Sequence, residues 1–280
     1  MTRLLLIDGH SLLFQMYYGM PARIVNKDGQ AIGGVIGFIG VLFKIIKMSE
    51  PTHVLIVFDG EHSNINNKII DGYKANRKDY TNANDDDNPF LQLPIIYKVL
   101  DYLEIKHYEE IEFEADDAIA GYINTYKDIE IIISSLDTDF IQLIRNNVKL
   151  LKYRGKSTTI IDENEILKKY HISPNSYVDF KALVGDKADN IKGVKGIGPI
   201  TAAKLINEYE TLNNILANLD KIENSKIKNS LNDKKDLLLK NYQAIKLNKP
   251  VNLRYLLDDL EYKLNGTLTT KKILETLNIL

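Results

Sequence analysis

The sequence predicts an α/β protein with a mainly parallel central sheet flanked by helices, followed by a helical C-terminal region. Three short apolar runs, at 4–7, 54–58 and 129–133, are rich in branched aliphatic residues and bounded by polar ones. Continuous apolar runs of this length suit strands buried on both faces, as in a parallel sheet. Their alternation with helical patterns predicts right-handed strand–helix–strand crossovers. The helices are expected at 33–48, 91–103 and 115–126.

Weaker patterns extend this prediction along the chain. Further strands are expected at 105–108, 148–151 and 158–161. Beyond about residue 163 the pattern becomes helical, which predicts two regions, an α/β domain over residues 1–165 and a helical region over residues 166–280. The helices of the second region are expected at 163–170, 175–184, 201–209 and 233–247, the last ended by Pro250.

The composition excludes several classes of protein. The chain has 280 residues, 44% of them hydrophobic, which is enough for a sizeable core. It has no cysteine, so disulfides, thiolate metal sites and a cysteine nucleophile are excluded. The longest uncharged apolar stretch, 31–43, is shorter than the roughly 20 residues of a membrane-spanning helix. The first apolar run is too short for a secretion signal. We therefore expect a soluble, cytoplasmic protein.

Charge is distributed unevenly along the chain. Residues 1–189 hold 21 basic and 28 acidic residues, net −7, whereas residues 190–280 hold 15 and 10, net +5. The total of −2 therefore conceals an acidic front part and a basic tail. Solvated helix faces would explain this pattern, and so would an acidic site inside a protein that handles a polyanion.

Aspartates directly follow the predicted strands. Asp8 follows the first strand, Asp59 the second, and Asp137 and Asp139 follow the third. A single aspartate at such a position is most often a turn former or a helix cap. Because ligands bind outside the carboxyl ends of strands in open α/β sheets, three strand ends with acids favour a shared site.

Five more acids join this set and together predict a metal site. Glu114, Asp116 and Asp117 open a helix, where they would also complement its dipole, and Asp186 and Asp189 are spaced to share a helical face. Nine acids in one pocket would repel each other strongly without cations. Oxygen-only ligands favour Mg²⁺ or Mn²⁺, and two ions about 4 Å apart would support phosphodiester hydrolysis.

Two basic features are consistent with a phosphate-bearing substrate. Lys74 and Arg77, just after Tyr73, are spaced to share a helix face, either as a phosphate clamp or as a solvated basic face. Residues 193–205 read G-V-K-G-I-G-P-I-T-A-A-K-L, a glycine hairpin that opens a helix. Glycines let a phosphate approach the backbone, and the helix N-terminus offers free N–H donors. The DNA-binding residues predicted here are Gly193, Lys195, Gly196, Gly198 and Lys204.

The acidic, basic and glycine-rich motifs follow one another along the chain in a definite order. They lie at 6–11, 51–59, 73–77, 114–117, 136–139 and 184–191, and the last runs into the glycine hairpin. In this respect the chain resembles the bacterial 5′–3′ exonuclease and flap endonuclease family. It is similar to the 5′ nuclease domain of DNA polymerase I, here expected without a polymerase.

The resemblance implies a PIN-like catalytic core, a helical arch near 71–93 and a helix–hairpin–helix at 191–208 in the C-terminal region. It implies two Mg²⁺ ions (Mn²⁺ substituting), with Asp8, Asp59, Glu114, Asp116 and Asp117 in one group and Asp137, Asp139, Asp186 and Asp189 in the other. Lys74 and Arg77 would contact the scissile phosphate, Tyr73 would stack on a base, and K⁺ would bind at the hairpin. The implied substrates are 5′ flaps, nicked or gapped DNA and RNA–DNA primer junctions, cleaved in replication and repair. Separately from the resemblance, we expect a monomer.

Two residues or segments depart from the family pattern, and three alternative functions are weighed against it. Gln15 stands where many relatives carry an arginine, and residues 85–87 place three aspartates in the arch, where they would repel a threaded strand. A PIN-type endoribonuclease would share the strand-end acids but would not need the glycine hairpin. A non-catalytic protein that binds branched DNA would gain nothing from nine clustered acids. A phosphatase with a strand-end aspartate needs a second one two residues later, where this chain has His10.

Overall fold

A computed structural model describes residues 2–20, 23–60, 69–70, 72–76, 78, 80, 88–263 and 268–280. The strands of its main sheet are β1 (Arg3–Asp8), β2 (His53–Asp59), β3 (Lys106–Glu110), β4 (Glu130–Ser134), β5 (Val148–Lys152) and β6 (Thr159–Ile161). They lie in the order β3-β2-β1-β4-β5-β6, of which the first five are parallel and β6 is antiparallel to β5. A two-stranded antiparallel pair consists of β7 (Gly185–Asp186) and β8 (Ile191–Lys192).

Helices cover both faces of the sheet, because alternate side chains of each buried strand point to opposite faces. In β1, Leu4 and Leu6 face one apolar cluster, and Leu5 and Ile7 face the other. The helices are α1 (Gly9–Gly19), α2 (Gly33–Ser49), α3 (Leu93–Tyr102), α4 (Ala115–Thr125), α5 (Glu163–Tyr170), α6 (Tyr177–Val184), α7 (Pro199–Tyr209), α8 (Leu212–Ala217), α9 (Ser225–Asp233), α10 (Lys235–Ile245) and α11 (Thr270–Thr276). The first cluster contains α4 and the helices of the C-terminal region up to α10, and the second contains α1, α2, α3 and α11.

The predicted fold class is confirmed, including all six strands of the main sheet. The helix predicted at 233–247 is shorter, beginning at Lys235, and a separate helix, α9, precedes it. Helices α1, α8, α9 and α11 and the β7–β8 pair were not predicted. In α1 the start signal is Asp8, which caps the helix by accepting a hydrogen bond from the Ser11 backbone at 2.9 Å.

The C-terminal region packs directly on the α/β core. One continuous apolar cluster joins α4 to α6, α7 and α10. The chain then crosses to the other face of the sheet, where the backbone of Tyr262 donates to the Thr52 carbonyl at 2.8 Å and α11 packs against α2. The predicted division at residue 165 stays a prediction. Among the described residues, no helix combines the length and apolar character needed to cross a membrane.

Candidate active site: a carboxylate-lined cavity

A cavity of about 1790 Å³ lies at the carboxyl ends of β1, β2 and β4. Its volume exceeds the ~300–1,000 Å³ of usual small-molecule pockets, so it suits a larger substrate. Asp117 and Asp139 are buried behind the cavity wall rather than on it. The other seven predicted acids line the cavity: Asp8, Asp59, Glu114, Asp116, Asp137, Asp186 and Asp189.

Asp8 sits at the centre of this edge, at the end of β1. One carboxylate oxygen caps α1, and the other accepts a hydrogen bond from the Ser135 hydroxyl at 2.8 Å. Burial, followed by the nearby charge of Asp59, raises the pKa of Asp8 to about 6 in spite of those two hydrogen bonds. The site therefore fixes the Asp8 carboxylate in a position where its charged form is unfavourable unless a cation is near.

Asp59, at the end of β2, has a pKa that is shifted in the opposite direction. Burial raises its pKa, but the His10 ring at 3.3 Å and the Ala115 backbone N–H at 2.7 Å together keep the pKa below its ordinary value. The hydrogen bond to Ala115 also ties the end of β2 to the start of α4. Asp59 is thus kept ionised and fixed in direction.

The start of α4 supplies three acids with different surroundings. Glu114 accepts a hydrogen bond from the Lys74 ammonium at 2.8 Å. Burial, followed by repulsion from Glu114, raises the pKa of Asp116 well above its ordinary value. Burial also raises the pKa of Asp117 to about 6; its Oδ2 lies 3.9 Å from Lys249, and its buried Oδ1 has no hydrogen-bond partner among the described residues.

The second predicted group of acids surrounds a buried lysine that the sequence analysis did not select. Lys181 of α6 is only 4% exposed, and its ammonium pairs with both Asp139 and Asp186. Burial raises the pKa of Asp139 to about 7, with Asp137 adding to the rise. Burial also raises the pKa of Asp186, but Lys181 outweighs it and the net shift is downward. Lys181 therefore acts as an internal counter-ion for this group.

The segment around Lys74 is a turn rather than the predicted helix. Lys74 has φ of 54°, in the left-handed region that few residues other than glycine adopt, and its backbone N–H donates to the Asp189 carbonyl at 3.0 Å. Asn76 and Asn190 donate further hydrogen bonds between this turn and the β7–β8 loop, at 2.9 and 2.8 Å. Strained residues held in this way often mark functional sites.

Other predicted residues of this segment are placed as follows. Tyr73 lines the cavity but is only 6% exposed, with its hydroxyl 3.4 Å from Glu114, so its ring faces are not available to a base in this conformation. Arg77, the acidic run 85–87 and several further residues of the predicted arch near 71–93 lie outside the described residues. Gln15 donates to the Tyr153 carbonyl at 2.6 Å and does not line the cavity.

Three glycines of the hairpin differ in how strongly the backbone and its neighbours require a glycine there. A side chain at Gly193 would collide with the Val184 carbonyl, so close packing against β7 requires this glycine. Gly196 has φ of 88°, which favours glycine. Gly198, at the N-terminus of α7, has an ordinary φ of −91° and open space where a side chain would project. Lys195 and Lys204 are exposed on the same motif.

The donor set of the cavity fits hard divalent cations, because it consists of carboxylate oxygens. Buried acids with raised pKa values and the partnerless Oδ1 of Asp117 both indicate negative charge that the protein alone does not balance. As placed, no three described Asp, Glu or His side chains are close enough together to enclose one ion. Binding would therefore require carboxylates such as Glu114 to turn away from their lysine partners.

The uncompensated negative charge of the cavity predicts that the stability of the chain falls as the pH rises. Asp8, Asp117 and Asp139 titrate near 6–7 in the folded chain, so between about pH 4 and pH 7 the folded state binds more protons than the unfolded state. Without divalent cations, we expect the melting temperature to fall by about 5 °C as the pH rises from 5 to 8. Differential scanning fluorimetry measures this directly.

Mg²⁺ at pH 8 should restore most of the lost stability and at pH 5 should have little effect. The variant Asp8→Asn should show a shallower fall. A melting temperature that rises between pH 5 and pH 8 in the absence of metal would contradict the raised pKa values.

The fold and the site define a class of protein: a mainly parallel α/β domain that gathers acids from several strand ends into a cavity of about 1790 Å³, joined to a helical region. Two family models match consecutive parts of this chain. The 5′-3′ exonuclease N-terminal resolvase-like domain matches residues 3–171, and the 5′-3′ exonuclease C-terminal SAM fold matches residues 172–267. The chain therefore belongs to the 5′-3′ exonuclease family, which confirms the resemblance found in the sequence.

Relatives with curated descriptions agree with this assignment. The chain is 33% identical over 269 residues to a DNA polymerase I of Caldicellulosiruptor bescii, covering 93% of this chain but only 31% of that protein. It thus spans about a third of the length of the polymerases it matches. It is also 29% identical over 265 residues to a 5′-3′ exonuclease of Aquifex aeolicus, covering 94% of this chain and 88% of that protein.

Solved structures show the same fold. The D15 flap endonuclease of bacteriophage T5, in complex with DNA and metal ions, superposes with a TM-score of 0.72 at 20% identity, covering 88% of this chain and 89% of that one. The catalytic core of Rad2 in complex with DNA substrate gives a TM-score of 0.58 at 16% identity, covering 98% and 88%.

Proposed function

We propose that this chain is a structure-specific 5′ nuclease that hydrolyses phosphodiester bonds near the 5′ ends of flaps and of nicked or gapped DNA. The observation that carries the proposal is the convergence of seven carboxylates, from separate segments of the chain, on one cavity of about 1790 Å³. Family membership and the DNA complexes of the T5 and Rad2 proteins support a nucleic-acid substrate. RNA–DNA primer junctions are proposed as further substrates, and the chain is proposed to act as a monomer.

The acids would hold two divalent cations, Mg²⁺ with Mn²⁺ as a substitute. Asp8, Asp59, Glu114, Asp116 and Asp117 form one proposed group, with Asp117 acting from behind the wall. Asp137, Asp139, Asp186 and Asp189 form the other, with Lys181 among them. When bound, such ions orient an attacking water and stabilise the leaving oxygen.

The chain's own residues supply positioning and charge. His10 and the Ala115 N–H fix the Asp59 carboxylate, and Ser135 and the Ser11 N–H fix Asp8. The Lys74 ammonium stands on the cavity wall beside Glu114, from which it would turn towards the scissile phosphate and neutralise charge in the transition state. Arg77 is proposed to do the same.

The glycine hairpin is proposed to hold the duplex backbone, with K⁺ as a bridging ion. We expect Gly198→Ala to leave the melting temperature within about 1 °C, because the added methyl group meets open space at an ordinary φ. The same methyl group would keep a phosphate from approaching the start of α7, so duplex affinity should fall about tenfold. Fluorescence anisotropy with a blunt labelled duplex in Ca²⁺ measures this.

The surface variant Gly19→Ala is the matched control, since its methyl group also meets open space, far from the hairpin in sequence. Unchanged duplex affinity for Gly198→Ala would remove this glycine from the DNA interface. The exposed hairpin lysines give a second check: Lys195→Ala with Lys204→Ala should weaken binding and reduce its salt dependence.

The direct test of the proposed function is cleavage of a labelled 5′-flap substrate. Short 5′-labelled products that form with Mg²⁺ and disappear with EDTA are expected. Binding of the flap without any cleavage in Mg²⁺ or Mn²⁺ would instead identify a non-catalytic protein that binds branched DNA. If the chain leaves the flap intact and instead cleaves a structured RNA at internal sites only, it is an endoribonuclease.

A further inference from the structure

A buried amide lies between the glycine hairpin and the second group of acids. Asn241 of α10 is 0% exposed, and its Nδ2 donates two hydrogen bonds to other segments of the chain. One goes to the carbonyl of Ala182 in α6 at 3.1 Å, and the other goes to the carbonyl of Lys192 in β8 at 2.9 Å. Because both partners are acceptors, only the NH₂ group of the amide can make these contacts, and this fixes its orientation.

Each accepting carbonyl belongs to a segment that carries part of the proposed site. Ala182 is in the last turn of α6, where backbone carbonyls lack partners within the helix. It directly follows Lys181, the counter-ion of the second group of acids. Lys192 directly precedes Gly193, the first residue of the glycine hairpin. One side chain therefore ties the end of α6 to the start of the hairpin.

A second amide ties the other end of α10 to the same acids. Gln142 donates to the Asp139 carbonyl at 2.9 Å and to the carbonyl of Ile245, the last residue of α10, at 3.0 Å. Its Oε1 accepts a hydrogen bond from the Leu247 backbone N–H at 2.9 Å. Helix α10 is thus linked to the hairpin at Asn241 and to the acids about one turn later.

Stability alone is a poor explanation for an amide at position 241. The other buried residues on this face of α10, apart from a second contact at 245, are the apolar Leu238 and Ala244. The Oδ1 of Asn241 is buried and has no hydrogen-bond partner among the described residues. An unpaired buried acceptor costs free energy, which offsets part of what the two donated hydrogen bonds contribute. The amide therefore indicates a requirement for the two contacts themselves.

We propose that Asn241 is a positioning residue that holds the glycine hairpin at a fixed distance from the acids. Since the hairpin is proposed to hold the duplex, this distance determines which phosphodiester bond reaches the acids. The inference rests on the proposed nuclease function and specifies what sets its cleavage position. Small displacements are expected to matter, because misplacing reacting groups by about 1 Å can cost about 100-fold in rate.

The test compares the cleavage positions of Asn241→Ala and Asn241→Leu, which both remove the donated hydrogen bonds and differ in bulk. A 5′-labelled flap is cut in Mg²⁺ under single-turnover conditions, and the products are separated at single-nucleotide resolution. The unaltered chain should cut mainly at one bond. Each variant should distribute its cuts over neighbouring bonds, and its rate at the principal bond should fall about tenfold or more. Gln142→Leu, which breaks the link at the other end of α10, should distribute its cuts in the same way.

Flap affinity separates a displaced hairpin from a lost one. Measured by anisotropy in Ca²⁺, the affinity of both Asn241 variants should change much less than the cleavage rate. The hairpin keeps its own hydrogen bonds, from the Val194 N–H to the Leu183 carbonyl at 2.9 Å and from the Ile197 N–H to the Val194 carbonyl at 3.1 Å.

Ile273→Ala is the control for a general loss of stability. Ile273 is fully buried in α11, in the apolar cluster on the opposite face of the sheet from α10. Its truncation should lower the melting temperature, as large-to-small substitutions in a core do. The cleavage positions should stay those of the unaltered chain, because an unfolded fraction lowers the amount of active protein without moving the cut.

The outcomes are distinct for the two proposals. If the unaltered chain cuts the flap mainly at one bond and both Asn241 variants, or Gln142→Leu, keep that position, the positioning role is overturned and the nuclease function stands. An equal spread of cuts in Ile273→Ala also overturns it, since the spread would then follow from lost stability. An unaltered chain that leaves the flap uncut overturns the proposed function itself.

Discussion

Asp116→Asn is expected to lower flap cleavage in Mg²⁺ by about 10³-fold, or about 4 kcal/mol of transition-state stabilisation. Asp116 lines the cavity from the first turn of α4, where burial and Glu114 raise its pKa well above the ordinary value. Such a carboxylate gains most from a bound cation. The amide that replaces it has nearly the same shape and no charge, so the loss would come from charge. Single-turnover cleavage of a labelled flap measures it.

The same variant should differ from a folding mutant in two further measurements. Its melting temperature without metal should not fall, because the substitution removes a repelled charge, and the amide oxygen can still accept the hydrogen bond from the Asp117 backbone N–H. The stabilisation by Mg²⁺ at pH 8 should become smaller. Flap affinity in Ca²⁺ should change less than cleavage does.

Glu112→Gln is the matched control, since Glu112 is an exposed acid just before α4 and does not line the cavity. It should cleave at the rate of the unaltered chain. If Asp116→Asn cleaves as fast as Glu112→Gln, Asp116 is not part of the catalytic centre, and the proposed metal group has to be redrawn without it.

The fold could be predicted from the sequence wherever a pattern has one structural explanation. Buried parallel strands appear in a sequence as continuous apolar runs, and such runs predict the paired strands β1, β2 and β4. The predicted meeting of acids at the strand ends follows from the same geometry, and seven of the nine line one cavity. The pattern does not predict helix α1, although its start signal Asp8, also a predicted metal ligand, caps the helix.

The parts of the site that could not be predicted depend on contacts between distant segments. Lys181 lies within an apolar helical pattern, and only the packing of α6 beneath Asp139 and Asp186 shows its role. Asn76 reads as an ordinary turn residue, yet it hydrogen-bonds to the β7–β8 loop at 2.9 Å. The burial of Tyr73 is also a tertiary effect, because its spacing from Lys74 and Arg77 indicates nothing about exposure.

Lys181→Met is the substitution for which we expect the largest loss of stability. The methionine has a similar volume and would fill the same space, but Asp139 and Asp186 would lose the buried ammonium that pairs with both. Removing one partner of a buried ion pair costs about 3–5 kcal/mol of the free energy of unfolding. Urea unfolding at pH 8 without divalent cations should show this loss. The exposed Lys187→Met on the following loop should lose less than about 0.5 kcal/mol.

The loss has a specific electrostatic origin, which two further measurements isolate. Adding Mg²⁺ should recover part of the stability of Lys181→Met, because a divalent cation can replace the missing charge beside the acids. Combining Lys181→Met with Asp139→Asn should cost less than the sum of the single variants, with a coupling of about 2 kcal/mol between the two sites. Additive losses would mean that Lys181 stabilises the fold through packing alone. The second group of acids would then depend on bound cations for all of its neutralisation.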